Sequence, residues 1–216
     1  MSFDSASIAA ARGHLRRRDP TLRRLIDVVG PFTLKLKRDR FGMLVASIIS
    51  QQISGKAARS IRQRLVELIA PDKITPHTLA ARSLAQLRSV GVSPQKAAYL
   101  HDLAAKVDAG TVRIGQTGRM PDDEVIAELI QVKGIGVWTA QMFLMFSLGR
   151  LDVFPHDDLG IRTALKNLYG LAELPDKKTS HEIAEPWRPY ATVASWYCWR
   201  SHEVEWPSQT LGRKRE

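Results

Sequence analysis

Two glycines spaced two residues apart, Gly134 and Gly136, between two stretches of helical periodicity, constrain this chain more than any other feature. Ahead of them Val125, Leu129, Ile130 and Val132 form the apolar face of a helix. Its first turn holds Asp122, Asp123 and Glu124, where the helix dipole favours acids. Behind them, residues Val137 to Ser147 are predicted to form a second helix. Glycine in such a turn tolerates positive φ and leaves the main chain unshielded. The second helix then starts with uncovered N–H groups at its positive end, which with Lys133 suit a phosphate group and read no bases. The same residues also suit a plain αα-corner in which glycine only relieves crowding. Either way the chain must turn sharply between two helices here.

The rest of the chain has to pack around that turn, and its periodicity is helical throughout. FGMLVASIISQQ, from Phe41 to Gln52, is apolar nearly all round and predicts a buried central helix. Ile53-Ser54-Gly55 breaks it. Lys56 to Ile69 resumes with Ala57, Ile61, Leu65 and Ile69 inward and Arg59, Arg62 and Arg64 outward. Shorter helices are predicted near Leu79, over Ser83 to Val90 and over Gln95 to Val107. Later ones cover Leu159 to Tyr169, a stretch introduced by Pro175 and Thr179-Ser180, and a run ending near Trp199. At the start, Ser7 to Arg18 is weakly helical and Asp19-Pro20-Thr21 opens another helix through Leu22, Leu25, Ile26 and Val29. Phe32 to Arg40, carrying Lys35, Lys37, Arg38 and Arg40, is a basic connector taken as a boundary between halves. Gly110 to Pro121 is a polar link, and the tail from Ser208 is expected to be loose. With no alternating strand pattern of useful length, the fold class is all-α.

The charge balance narrows the partner. Lys and Arg number 32 against 22 Asp and Glu, a net +10, which favours a polyanion: nucleic acid first, an anionic membrane surface second. Cys198 is the single cysteine, which excludes an intrachain disulfide, a cysteine-based zinc site and a four-cysteine iron–sulfur cluster. No stretch reaches the roughly 18 apolar residues of a membrane span, and the first residues carry their charges after a small apolar run rather than before it. A cytoplasmic protein is expected.

Asp157 and Asp158 follow the second hairpin helix and open the next one. An aspartate there can be a simple N-cap, or a carboxylate held ionised by N–H donors and available for chemistry. His156 beside them does not make a metal site, because three adjacent residues do not readily converge on one ion.

These residues carry a resemblance. LIQVKGIGVWTAQMFLMFSLGRLDVFPHDDLGIRTAL resembles the helix-hairpin-helix–Asp signature of the DNA glycosylases, and looks most like the 3-methyladenine DNA glycosylase II branch. FGMLVASIISQQISGKAA, LRSVGVSPQKAAYLHDLA and EPWRPYATVASWY look like further blocks of that branch in the same order, so the likeness runs from Phe41 to Trp199. It implies two helical subdomains with an interdomain active-site cleft: a central one over 41–157, and a second formed by both termini, 1–40 and 158–216. Too little precedes Phe41 for the N-terminal β-rich domain of the larger bacterial members, so the compact form is expected.

The resemblance also assigns roles. Asp158, three residues before the apolar Ile161, matches the catalytic aspartate. Trp138, Trp196 and Met142 match base-pocket positions, with Met142 standing where some relatives carry an aromatic residue. Trp187 and Trp199 are read as core packing. Gln52 falls on the intercalating wedge, and Lys133, Gly134, Ile135, Gly136 and Thr139 fall on the DNA phosphate clamp. The carbonyls of Ile130, Val132 and Ile135 would hold a structural Na+ or K+, with no cofactor required. Strand-cutting relatives carry a Schiff-base lysine where this chain has Trp138. The implied activity is therefore monofunctional: flipping and hydrolytic release of alkylated purines of the 3-methyladenine and 7-methylguanine type in base excision repair, leaving an abasic site. Double-stranded DNA bearing alkylated bases is the expected partner, met by a monomer with no membrane. The same fold acting on hypoxanthine or an oxidised purine, or a non-catalytic damage-binding protein, are the alternatives.

Overall fold

A computed structural model of the chain describes residues 3–205; the tail from Ser208 lies outside the described residues. In chain order the helices are α1 (Ser5–Arg18), α2 (Pro20–Val29), α3 (Arg40–Ser50), α4 (Gly55–Ile69), α5 (Pro76–Ala80), α6 (Leu84–Ser89), α7 (Pro94–Asp108), α8 (Asp122–Leu129), α9 (Val137–Phe143), α10 (Leu159–Tyr169), α11 (Lys177–Ala184) and α12 (Ala191–Arg200). No strand occurs among the described residues, so the chain is all-α. Short polar side chains set most of the starts: Asp39, Ser54, Thr75, Ser83, Ser93 and Asp176 each accept a hydrogen bond from an N–H of the first turn.

The chain divides into two compact units, residues 37–148 and residues 1–36 with 149–216. In the first, α3 is buried as its composition requires, with Leu44, Val45 and Ile48 fully inaccessible, and it packs on α4, α7 and α9. Two features here were not expected. The polar link contains a 3-10 helix, Ile114–Arg119, closed by the Thr117 hydroxyl donating to the Ile114 carbonyl. Ahead of it Arg113 donates to the Glu128 carboxylate through its main-chain N–H at 2.6 Å and its Nε at 3.2 Å, and Arg113 in turn holds the Glu128 carboxyl below the usual range. The helix predicted over Val137 to Ser147 is also not uniform, because α9 widens into a π-turn at Leu144–Leu148.

In the second unit α1, α2, α10 and α12 enclose Leu15, Leu22, Leu25, Ile26, Ile161, Leu165, Trp187 and Tyr197. Asp19 is the polar centre of that packing. It caps α2 by accepting from Thr21 and Leu22 N–H at 2.8 and 3.0 Å, and it also accepts the Trp187 indole N–H at 2.9 Å and the Tyr169 hydroxyl. A buried carboxylate met by four donors is stabilised rather than stranded.

The division falls at 36/37 and 148/149, where the sequence reading put it at 40/41 and 157/158. Residues 149–157 belong with the terminal unit because α12 binds them. Thr192 N–H donates to the Leu151 carbonyl at 3.0 Å and its hydroxyl to the Arg150 carbonyl at 2.7 Å. Val153 N–H returns a bond to the Thr192 hydroxyl at 3.0 Å, and Asp152 accepts from Ala191 N–H and Arg188.

Candidate active site

The hairpin between α8 and α9 has the turn its glycines predict. Gly134 sits at φ +82°, the left-handed region, and a Cβ there would run into the Tyr99 ring, so position 134 excludes any other residue on both counts. Ile135 N–H donates to the Val132 carbonyl at 3.1 Å, closing the turn. α9 then begins with no side-chain cap at Gly136. The N–H groups of Val137, Trp138 and Thr139 form its first turn, at the positive end of the dipole. Gly136 and Lys133 are exposed, while the side chains of Ile135 and Thr139 are buried. Any contact from those two is therefore through the main chain.

Lys133 N–H donates to Asp102 at 2.8 Å, and the Lys106 ammonium bridges Asp102 at 2.9 Å and the Gln131 carbonyl at 2.5 Å. Burial raises the Asp102 carboxyl, but the Lys133 N–H and Lys106 outweigh it and hold the group below its ordinary value. The residues before the turn are thus fastened to α7.

On α9 Trp138 is 44% exposed, and Met142, one turn further, is 6% exposed. The first presents an aromatic surface to solvent and the second lies in the core. At the end of α3 the chain turns through Gln51 to Ser54, and Gln52 is exposed at φ 55°, unusual for a residue with a Cβ. Gln51, Gln52, Ser93, Lys96, Tyr99 and Gly134 line one polar groove of about 390 Å³.

Asp158 lies in the terminal unit. Asp158 is the N-cap of α10, and its Oδ1 accepts Ile161 N–H and the Trp199 indole N–H, each at 2.9 Å. Both readings of Asp158 are compatible with this geometry, because the cap bond is what orients the group. Trp199, expected to be plain packing, instead donates directly to that carboxylate. The pairing joins residues 41 apart, and no local pattern announces it. Gly160 leaves room for the pair, since a Cβ there would lie 3.0 Å from Asp158 Oδ1 and 3.2 Å from the Trp199 ring.

Asp157 points elsewhere, lying 3.2 Å from His156 Nε2. Burial holds the His156 imidazole below its ordinary value despite that neighbour, with Lys177 and His181 adding to the effect. No group of three metal-ligating side chains occurs among the described residues. Trp187 is wholly buried, as expected of core. Trp196, expected in a pocket wall, is 7% exposed; its ring packs on Phe32 at 4.7 Å and carries the Arg200 guanidinium at 5.9 Å. Its faces are therefore largely spent inside its own unit.

Comparison with known proteins places the chain in a family. A DNA-3-methyladenine glycosylase of Schizosaccharomyces pombe is 32% identical over 92% of this chain and 89% of its own length. The solved structure of the 3-methyladenine DNA glycosylase of that organism, in complex with abasic DNA, superposes with a TM-score of 0.81, covering 90% of this chain and 97% of that one at 32% identity. A DNA-3-methyladenine glycosidase structure from Bacillus halodurans gives 0.81 at 36% identity, covering 93% and 91%. Residues 45–189, which include the hairpin, α9 and Asp158, match the helix-hairpin-helix–GPD family, and the chain therefore belongs to the HhH-GPD superfamily of base excision DNA repair proteins.

Proposed function

We propose that this protein is a monofunctional DNA glycosylase that hydrolyses the N-glycosidic bond of alkylated purines in duplex DNA. The observation that carries the reading is the doubly held carboxylate of Asp158, within a chain about one third identical, over nearly all its length, to a DNA-3-methyladenine glycosylase. As the C1′–N bond breaks, positive charge develops on the deoxyribose. An ionised carboxylate beside C1′ stabilises that charge while water supplies the new oxygen. Ile161 N–H and Trp199 Nε1 fix the direction in which Asp158 presents its charge.

The remaining assignments follow the chemistry of each position. Lys133 and the uncapped N–H groups after Gly134 and Gly136, including that of Thr139, hold a phosphate without reading sequence. Gln52 enters the stack from its strained turn. Trp138 receives the extruded base: N3-methyladenine and N7-methylguanine are cationic, and an aromatic face attracts a cation by about 0.5–2 kcal/mol. Met142 backs that pocket, and Trp196, already sharing its ring with Phe32 and Arg200, can contribute only an edge. Trp138 has no amine to form a Schiff base, so the strand stays intact and an abasic site remains. The carbonyls of Ile130, Val132 and Ile135 are the oxygen donors for Na+ or K+ in the turn; the protein acts as a monomer and needs no other cofactor. No described helix is long and apolar enough to cross a membrane.

The test is to incubate the protein with duplexes carrying N3-methyladenine, N7-methylguanine or hypoxanthine and then treat the products with alkali. Release of both methylated bases, with strand breaks only after alkali, is expected. DNA binding without base release would overturn the enzyme reading, release of hypoxanthine alone the substrate class, and breaks before alkali the monofunctional one.

A further inference from the structure

The turn that carries Gln52 and the hairpin that carries the phosphate clamp are locked to each other by Gln51. Its side-chain Nε2 donates to the Gly134 carbonyl at 2.8 Å, although the two residues are 83 apart in sequence. The peptide unit between Gly134 and Ile135 is consequently fixed at both ends: its carbonyl by Gln51, its N–H by the Val132 carbonyl at 3.1 Å. That unit sets the plane from which the following N–H groups leave the turn.

α7 holds both partners of this bond. The Lys96 ammonium donates to the carbonyls of Ile49 and Gln51 at 2.8 and 2.5 Å, capping the end of α3 where carbonyls lack helical partners. Lys96 is half-buried, and that burial lowers the proton affinity of its amine. One turn on, the Tyr99 ring lies against Gly134, and its hydroxyl accepts from Gln95 at 2.6 Å. Lys96 thus fixes the main chain of the turn, Tyr99 fixes the hairpin, and Gln51 ties the two together. The residue next to Gln51 is Gln52, at φ 55°, a conformation that persists only where the surroundings over-determine it.

We infer that Gln51 is a positioning residue, which sets the distance and orientation between the intercalating side chain and the phosphate clamp so that gripping the backbone aims Gln52 into the base stack. This rests on the function proposed above. It assigns Gln51 no contact with the lesion and no part in bond breaking; its contribution is confined to extrusion of the base.

Extrusion can be separated from chemistry by the substrate. Gln51→Met keeps the length of the side chain and removes the donor, and Gln51→Glu keeps the shape while setting an acceptor against the Gly134 carbonyl. Single-turnover release of N7-methylguanine is measured from a fully paired duplex and from one in which the lesion lies in an unpaired bulge, already unstacked. For whichever variant retains the wild-type melting transition, the rate on the paired substrate is expected to fall about tenfold, the rate on the bulged one by less than about twofold, and affinity for undamaged duplex to stay within about twofold. Equal losses on both substrates, or none on either, would overturn the inference. If the wild type releases no base, the proposed function fails instead. The positioning role is then read from 2-aminopurine fluorescence in the bound duplex, which must rise with wild type and not with the variants; an equal rise with both would overturn it.

Discussion

At the residue scale the site is defined by what holds Asp158. A carboxylate at a helix start is ordinary, but one whose Oδ1 receives both a main-chain N–H and an indole N–H has a fixed orientation. Asp158→Asn preserves size and removes the charge. Base release is expected to fall by more than tenfold with DNA affinity nearly unchanged, and retention of more than about a tenth of the activity, under about 1.4 kcal/mol, would reassign its role. Trp199→Phe keeps an aromatic side chain in place but removes the N–H, a hydrogen bond to a charged group of about 1.5–3 kcal/mol, together with the five-membered ring that carries it. If that bond orients Asp158, single-turnover release falls about tenfold while the melting temperature moves little. An equal melting loss without a rate loss would make Trp199 the packing residue its sequence context suggests. The indole partner was invisible in the sequence because helix starts declare their own caps locally, whereas a donor arriving from α12 leaves no local trace.

At the element scale the hairpin was the most legible part of the chain. Gly134 and Gly136 announced the turn, but only Gly134 needs to be glycine, by its φ of +82° and its contact with Tyr99; Gly136 is extended with open space beside it. Helix starts were legible where Ser, Thr or Asp precede an apolar run. The 3-10 helix at Ile114–Arg119 was not, because bonds from distant residues support it, Arg40 to the Ile114 and Gly115 carbonyls and Arg113 to Glu128 ahead of it. The π-turn at Leu144–Leu148 has no signal in residue type. The ties of 149–157 to α12, which moved the unit boundary, run largely through the Thr192 hydroxyl and the Asp152 carboxylate to partners about 40 residues away, which periodicity does not register. The hairpin also carries the cation expectation. Three main-chain oxygens suit a hard monovalent ion, and the Val132 carbonyl is already shaped by its bond to Ile135 N–H. The Lys106 ammonium, however, occupies the Gln131 carbonyl within the same turn. If the remaining oxygens bind Na+ or K+, the melting temperature in potassium chloride will exceed that in tetramethylammonium chloride at equal ionic strength. Identical melting would show that Lys106 and Asp102 hold the turn unaided.

At the scale of the whole molecule, charge and connectivity act differently. The terminal unit is discontinuous: α1 and α2 build one side of the core against which α12 packs, so the frame behind Trp199 depends on residues from both ends of the chain. The net charge of +10 draws the protein toward any polyanion, and such attraction is long-ranged and screened by salt. A phosphate clamp is local and releases a fixed number of counterions, so affinity falls with log salt at a slope of about −0.9 per phosphate neutralised. Lys133→Ala and Arg16→Ala each lower the formal charge by one, and they separate the two effects. Lys133 is exposed beside the hairpin glycines, whereas Arg16 is engaged by Asp27 at the other unit. If the hairpin grips phosphate, binding of an undamaged duplex titrated from low to high salt will lose about one unit of slope in the Lys133 variant and almost none in the Arg16 variant. Equal losses in both would mean that the overall field, rather than the turn between α8 and α9, carries the DNA.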